Sequence, residues 1–250
     1  METHEYKTMF DMETDYWWYV GLHQLVLHFL SQANTRKGRL EILDAGCGTG
    51  QLMKLCQAFG LEPIGLDFSR EALRFSGVRG LRTLVQGSIS EIPFRSAQFD
   101  VVVSLDVADC LEGDEIRGTF CEMHRVLRRG GYLILNLPAY GSLRSQHDLA
   151  QHILHRFSAD ELSTILSDAG FQLNLCTYRN TFLFPAAAVV RLLKRRSAAR
   201  QDTLRSDLKP LPHPINAALS RVLALENSLI KAGLHLPFGL SVFCVAKKLA

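Results

Sequence analysis

The chain is expected to fold as an α/β protein, a parallel sheet covered on both faces by helices, and three observations predict it. Apolar runs with the look of strands alternate with segments of helical period from about residue 39 to residue 178. One run, Leu40 to Asp44, ends in glycines on alternate positions, Gly46, Gly48 and Gly50. Another, Phe99 to Leu105, is apolar on both faces, as a central parallel strand is.

Taken in order, residues 5–31 are aromatic-rich and read as helical, with Trp17 and Trp18 in the middle. Residues 39–44 form the first expected strand. The helix after it, about 50–59, places Leu52, Leu55, Cys56 and Phe59 on one stripe and ends at Gly60. A second strand runs from Pro63 to Leu66 into Asp67, and Ser69 is placed to cap a short helix. Strands follow at 81–86 and 99–105. A helix over 114–128 carries Ile116, Phe120, Met123 and Leu127 on one stripe and stops at Gly130 and Gly131. The fifth strand, Tyr132 to Leu137, is broken by Pro138. Ser158 and Glu161 form a capping box, with Phe157 and Leu162 in staple positions, and that helix ends at Gly170. The sixth strand covers 171–178.

Residues 182–236 break the rhythm. Pro185 opens a helix with an apolar stripe (Ala186, Val189, Val190, Leu193) and a basic flank (Arg191, Lys194, Arg195, Arg196, Arg200). Pro210, Pro212 and Pro214 make a stiff connector, a further helix covers about 215–232, and Leu240 to Ala246 is the last strand. The whole chain, 1–250, therefore reads as a single domain: an N-terminal helical segment over 1–35, a core over 36–181, a helical insertion or cap over 182–236, and a final strand over 237–250.

Composition narrows the function classes. Hydrophobic content of 47% supports one core, and a net charge of +3 does not by itself suggest nucleic acid. The six cysteines form no CxxC pair and no metal-ligand spacing with the histidines, so no metal site is expected and the thiols suit a reducing compartment. No run approaches the roughly 20 apolar residues of a membrane span. A cytoplasmic protein is expected.

The chemistry lies in the glycines. Glycine is needed where the backbone takes a positive φ or lies flat against a ligand. A loop of this kind at the carboxyl end of a strand is where doubly wound folds bind nucleotides. The dinucleotide fingerprint G-x-G-x-x-G would need its third glycine at Gln51, and here it falls at Gly50. Asp67, 21 positions after Gly46, can accept hydrogen bonds from ribose hydroxyls. A nicotinamide dehydrogenase is disfavoured on this spacing.

Five pieces in order resemble the class I S-adenosylmethionine-dependent methyltransferases of the methyltransferase type 11 group. They are Leu-Asp-Ala-Gly-Cys-Gly-Thr-Gly at 43–50, Gly-Leu-Asp-Phe-Ser at 65–69, Gly-Ser-Ile-Ser-Glu-Ile-Pro-Phe at 87–94, Phe-Asp-Val-Val-Val-Ser at 99–104, and Arg-Val-Leu-Arg-Arg-Gly-Gly at 125–131. The resemblance covers about residues 10–181 and the last strand. It implies a three-layer, Rossmann-like sheet of order 3-2-1-4-5-7-6 with its last strand antiparallel, and S-adenosylmethionine as cofactor. Asp44 and the loop Gly46, Cys47, Gly48 and Gly50 would hold the methionine end, and Asp67 the ribose. Phe68 and Ile89 would sandwich the adenine. Leu105 and Asp106 would face the amino acid moiety and the substrate. Where the family usually has an aspartate at the adenine amino group, this chain has Ser88, whose hydroxyl can accept the same bond more weakly.

If the acceptor must lose a proton, the base candidates lie after the fifth strand: His147 and Asp148, with Tyr140 nearby. A structural alternative is that His147 and Asp148 only tether a loop. Trp17 and Trp18 could form a lid over the substrate, or pack their helix on the sheet. His124, His152 and His155 read as surface residues. The expected acceptor is a small or lipid-like molecule. The basic helix near 185–205 caps the acceptor pocket in one reading and touches an anionic membrane surface in another. The alternative function is a catalytically inactive cofactor-binding regulatory or assembly subunit. Nucleic acid is not expected as a partner, since no base-flipping motif and no large basic surface occur.

Overall fold

The structure is a computed structural model and describes residues 3–33, 39–143, 148, 151–185 and 210–249. Helices α1 (Thr3–Met12) and α2 (Trp17–Ala33) precede the sheet. Then come β1 (Ile42–Ala45), α3 (Gln51–Ala58), β2 (Ile64–Asp67), α4 (Arg70–Val78), β3 (Leu84–Gln86), β4 (Phe99–Leu105), α5 (Asp114–Val126), β5 (Leu127–Pro138), α6 (Ala159–Asp168), β6 (Phe171–Arg179), α7 (His213–Lys231) and β7 (Ser241–Lys248). The seven strands form one sheet of order β3-β2-β1-β4-β5-β7-β6, with β7 antiparallel to both neighbours. This is the expected topology.

The central strands are buried on both sides, so each face has its own apolar layer. On one face Val102, Leu133 and Leu135 pack against Phe120 and Met123 of α5 and Leu162 and Leu166 of α6. On the other, Val101, Val103, Ile134 and Phe243 pack against Leu22, Leu25, Val26 and Leu30 of α2 and Ile230 of α7. Helix boundaries follow local chemistry. Ser69 accepts the Ala72 N–H at the start of α4, and Ser158 with Glu161 makes the expected reciprocal capping box on α6.

Three expectations are corrected. The N-terminal segment is not one helix with the tryptophans in its middle; it breaks over residues 13–16, and Trp17 is the first residue of α2. The break places Glu13 and Tyr16 between two packed helices. The chain does not stop at Gly130 and Gly131 before a strand. Instead β5 begins at Leu127 and runs through both glycines, with a register shift against β4 between Phe99 and Val101. A Cβ on Gly131 would lie 2.9 Å from the carbonyl oxygens of Arg128 and Asp100, so the bulge is crowded enough to require glycine there. His124 is not simply solvated: its ring stands edge-on to Phe171, at 5.0 Å between centroids.

Of the segment 182–236, α7 lies along α2. Asn216 Nδ2 donates to the Asp15 carbonyl (2.8 Å), and Asn227 Nδ2 donates to the Gly21 carbonyl (2.7 Å). A Cβ on Gly21 would meet Leu223 Cδ1 at 2.7 Å, so the two helices approach through that glycine. The expected basic helix from Ala186 to Arg200, the 185–205 membrane contact (Pro185 excepted), and His147 lie outside the described residues.

Candidate functional site

The carboxyl edge of β1, β2 and β4 gathers the glycine loop and a set of acids. Gly46, Gly48 and Gly50 have φ of +91°, +53° and +84°. A Cβ on Gly46 would fall 2.2 Å from Val107 Cγ2, so the turn after β4 is seated directly on this loop. A Cβ on Gly50 would fall 2.4 Å from Leu81 Cδ1. These glycines are thus fixed by conformation and by close packing together.

Asp67, at the end of β2, is oriented by the main chain. Its Oδ2 accepts the Gly48 N–H and its Oδ1 accepts the Ser69 N–H, both at 2.8 Å. Each carboxylate oxygen keeps a further acceptor position. Burial raises the Asp67 pKa, and these two N–H groups pull it back. Asp44 is buried at the end of β1; burial, then Asp67 and Glu13, push its carboxyl up to about 7. Phe68 projects outward, 79% exposed, while Ile89 is buried. Ser88 Oγ accepts the Ser90 N–H at 3.1 Å. Cys47 is buried in the loop, and burial strongly disfavours its thiolate.

Helix α1 closes over this edge, which the sequence did not announce. Met9 Cε would lie 3.3 Å from a Cβ on Gly48. The Arg79 guanidinium fastens the arrangement. It donates to the Thr49 carbonyl (2.9 Å), Gln51 Oε1 (2.7 Å), the Phe10 carbonyl (3.0 Å) and Glu13 Oε1 (2.7 Å), and it lies 4.3 Å from the Phe10 ring centroid. Thr49 Oγ1 also donates to Glu13. The signal available in sequence was an arginine at the C-cap of α4, with nothing local to pair it. Tyr6 of α1 reaches Ser69 with its hydroxyl, next to Asp67.

Leu105 ends β4, half-buried, and Asp106 follows with φ +53°. Asn136 Nδ2 donates to both Asp106 oxygens (2.9 and 3.0 Å), and the Asp106 N–H donates to the Asn136 carbonyl (2.8 Å). Burial, with Asp109 close by, raises the Asp106 pKa, and burial raises that of Asp109 as well. Asp109 is 1% exposed, and its Oδ1 has no hydrogen-bond partner.

The expected base candidates are placed apart from these acids in character. Asp148 is buried in a two-pronged ion pair with Arg156 (2.6 and 2.8 Å), whose Nη1 also donates to the Ala139 carbonyl (2.9 Å). A carboxylate held so is a good tether. Tyr140 stacks on Tyr178 at 5.1 Å, and burial with the Tyr178 contact raises its pKa. His155 pairs with Glu161 (2.8 Å). Trp18 packs into the α2 layer, edge-on to Tyr19 at 4.9 Å, and Trp17 stands 5.8 Å from Tyr16 between ring centroids. The packing reading fits Trp18 better than a lid. No group of His, Cys, Asp and Glu among the described residues could hold a metal ion. No helix among them is long and apolar enough to cross a membrane.

Comparison with known proteins agrees with this geometry. Residues 43–135 match the family described as "Methyltransferase domain". A probable S-adenosylmethionine-dependent methyltransferase of Mycobacterium tuberculosis is 30% identical over 168 residues, 66% of this chain and 59% of that protein. A malonyl-[acyl-carrier protein] O-methyltransferase of Herminiimonas arsenicoxydans is 32% identical over 160 residues, 61% of this chain and 60% of that protein. The chain thus spans less than two thirds of the length of these relatives. Among solved structures, a SAM-dependent methyltransferase from Archaeoglobus fulgidus superposes with a TM-score of 0.58 at 16% identity, over 90% of this chain and 94% of that one. At that identity the likeness speaks for the fold.

Proposed function

From a chain that belongs to the class I S-adenosylmethionine-dependent methyltransferases, we propose an enzyme that transfers a methyl group from S-adenosylmethionine to a small or lipid-like acceptor. The carrying observation is the union of the glycine loop with Asp67 through the Gly48 N–H, at the end of the strands where such folds bind ligands. The residues fit the cofactor. Asp67 is pre-oriented with acceptor positions left for two ribose hydroxyls. Phe68 offers an exposed ring and Ile89 a buried apolar surface for a purine. Asp44, buried at the end of β1, puts an acid at the methionine end of the site, which suits a ligand carrying a sulfonium and an ammonium. S-adenosylmethionine, when bound, supplies a methyl group on an excellent leaving group.

What the chain contributes is placement. Holding donor and acceptor in line is worth effective molarities of ~10⁵–10⁸ M. Arg79 and Glu13 hold α1 against the loop, and the Asp106–Asn136 pair holds the edge of β4 against β5. The names of the malonyl-[acyl-carrier protein] relatives favour a lipid-related acceptor. A second reading, a cofactor-binding subunit without catalysis, draws on Ser88 in place of an acid at the adenine edge. Methyl transfer from labelled cofactor to a panel of acceptors in extract separates them. Labelled product supports the enzyme, and binding with no turnover on any acceptor supports the subunit.

A further inference from the structure

On the α2 and α7 face of the sheet, past β4, buried polar atoms stand without partners. Arg179 is the last residue of β6. It pairs with Ser241 of β7, which pairs with Pro138 of β5, so it lies on the same carboxyl edge as Asn136. Strand alternation puts Arg179, Ser241 and Asn136 on the face of Leu175, Phe243 and Ile134. Arg179 is 0% exposed, yet only Nη2 has an acceptor, the Trp18 carbonyl at 3.3 Å; Nε and Nη1 have none. Beside it, Asn180 is fully buried with both amide atoms unpartnered. Asn227 Oδ1, Asn136 Oδ1, Trp17 Nε1 and His23 Nδ1 are also buried without partners.

Buried charges and amides are nearly always hydrogen-bonded, because each lost partner costs its full desolvation. Two unmet guanidinium nitrogens with an unmet amide on the next residue call for an occupant. The nearby acid does not serve. Glu226 directs Oε1 to the Asn180 N–H (2.5 Å) and Oε2 to the Phe182 N–H (3.2 Å). Asp106 gives both its oxygens to Asn136. The free donors include a guanidinium and an amide; Leu223 and Arg179 Nη2 meet at Gly21, and the Trp18 ring centroid lies 5.9 Å from Arg179 Cζ.

We propose that Arg179, with the adjoining Asn180, binds an oxyanion, a carboxylate or phosphate on an apolar stem, and that this anion anchors the methyl acceptor beside the β4 edge. Naming the anion as the acceptor's rests on the methyl-transfer reading; the binding itself does not. The chain's two tryptophans are Trp17 and Trp18, so intrinsic fluorescence reports from the neighbourhood of Arg179.

The full chain is titrated with octanoate, octyl phosphate and octanol while that fluorescence is followed. The expected result is saturable binding of at least one anion about tenfold or more tighter than octanol, the scale of a charge-assisted bond. The tighter anion tells carboxylate from phosphate. In Arg179→Gln the preference falls to the level of octanol, and in Arg179→Lys part of it remains. Should Arg179→Gln not fold, Asn180→Gly, which suits the φ of +62° there, is expected to weaken the anion severalfold. Equal binding of the three probes, no binding, or a preference that survives Arg179→Gln overturns the site. Calorimetry with S-adenosylhomocysteine runs in parallel. Cofactor-product binding without an anion preference sinks only the anchor, and an anion preference without it sinks only the methyl-transfer reading.

Discussion

The two ends of the carboxyl edge are built on opposite principles. Around the glycine loop the polar groups are consumed: Asp67 takes two main-chain N–H groups, and Arg79 spends its guanidinium on four oxygens. Around Arg179 they are left over, with two guanidinium nitrogens and both Asn180 amide atoms unpartnered. The first arrangement holds a shape. The second holds unsatisfied capacity.

The largest effect is expected at the clamp. Arg79→Met leaves Glu13 buried without its cation, and loss of one partner from such a pair costs about 3–5 kcal/mol, read as a shift of the urea midpoint. A change under about 1 kcal/mol would show that α1 is not fastened to the loop. Next comes Gly46→Ala, which combines a left-handed backbone with a clash at Val107 and is expected to cost about 2–5 kcal/mol. Gly60→Ala, left-handed at +71° with open space around it, is the control and is expected to cost only about 1–2 kcal/mol. Equal losses at the two glycines would mean that packing contributes nothing at Gly46. Ser158→Ala, which removes the cap of α6 away from both sites, is expected to cost about 1 kcal/mol.

A pH series sharpens the contrast by reading the acids of the loop. Burial raises Asp44 and Glu13 of the loop, together with Asp109, to about 7 and Asp106 to about 8, above their unfolded values, so the folded state holds more protons there. Their contribution is complete below the unfolded carboxylate range and is lost as pH rises through about 7 to about 8. His23, lowered to about 3 by burial, acts with the opposite sign, but its contribution is complete above its unfolded value of 6.5. Cys176, drawn down to about 7 by Cys244, also opposes, so the series belongs in Cys176→Ser. Stability of that variant is expected to fall between about pH 6.5 and 7.5. A flat or rising profile would mean that these four acids are ionised in the ligand-free fold.

The same contrast explains what could be read from sequence. The donor side is local: Asp44, the three glycines and Asp67 sit within one β-α-β unit, and their spacing carries the chemistry. The parallel sheet followed from the alternation, and the strand order from the resemblance. Helix starts at Ser69 and Ser158 followed from capping. The clamp and the buried cluster were not legible, because Arg79 meets Glu13 across 66 residues and Arg179 meets Trp18 across 161. Nothing local marks an arginine at the end of a strand as buried. Asp148 and Tyr140 were found by their place after β5, but their partners Arg156 and Tyr178 decide their character, and those come from other elements.

The most direct test is calorimetric titration of the full chain with S-adenosylhomocysteine, repeated on Asp67→Ala. Saturable binding is expected, weakened in the variant by about 1.5–3 kcal/mol, or roughly 10- to 150-fold, the worth of hydrogen bonds to a charged group. No heat from the unaltered chain, or the same dissociation constant in both, would contradict the account.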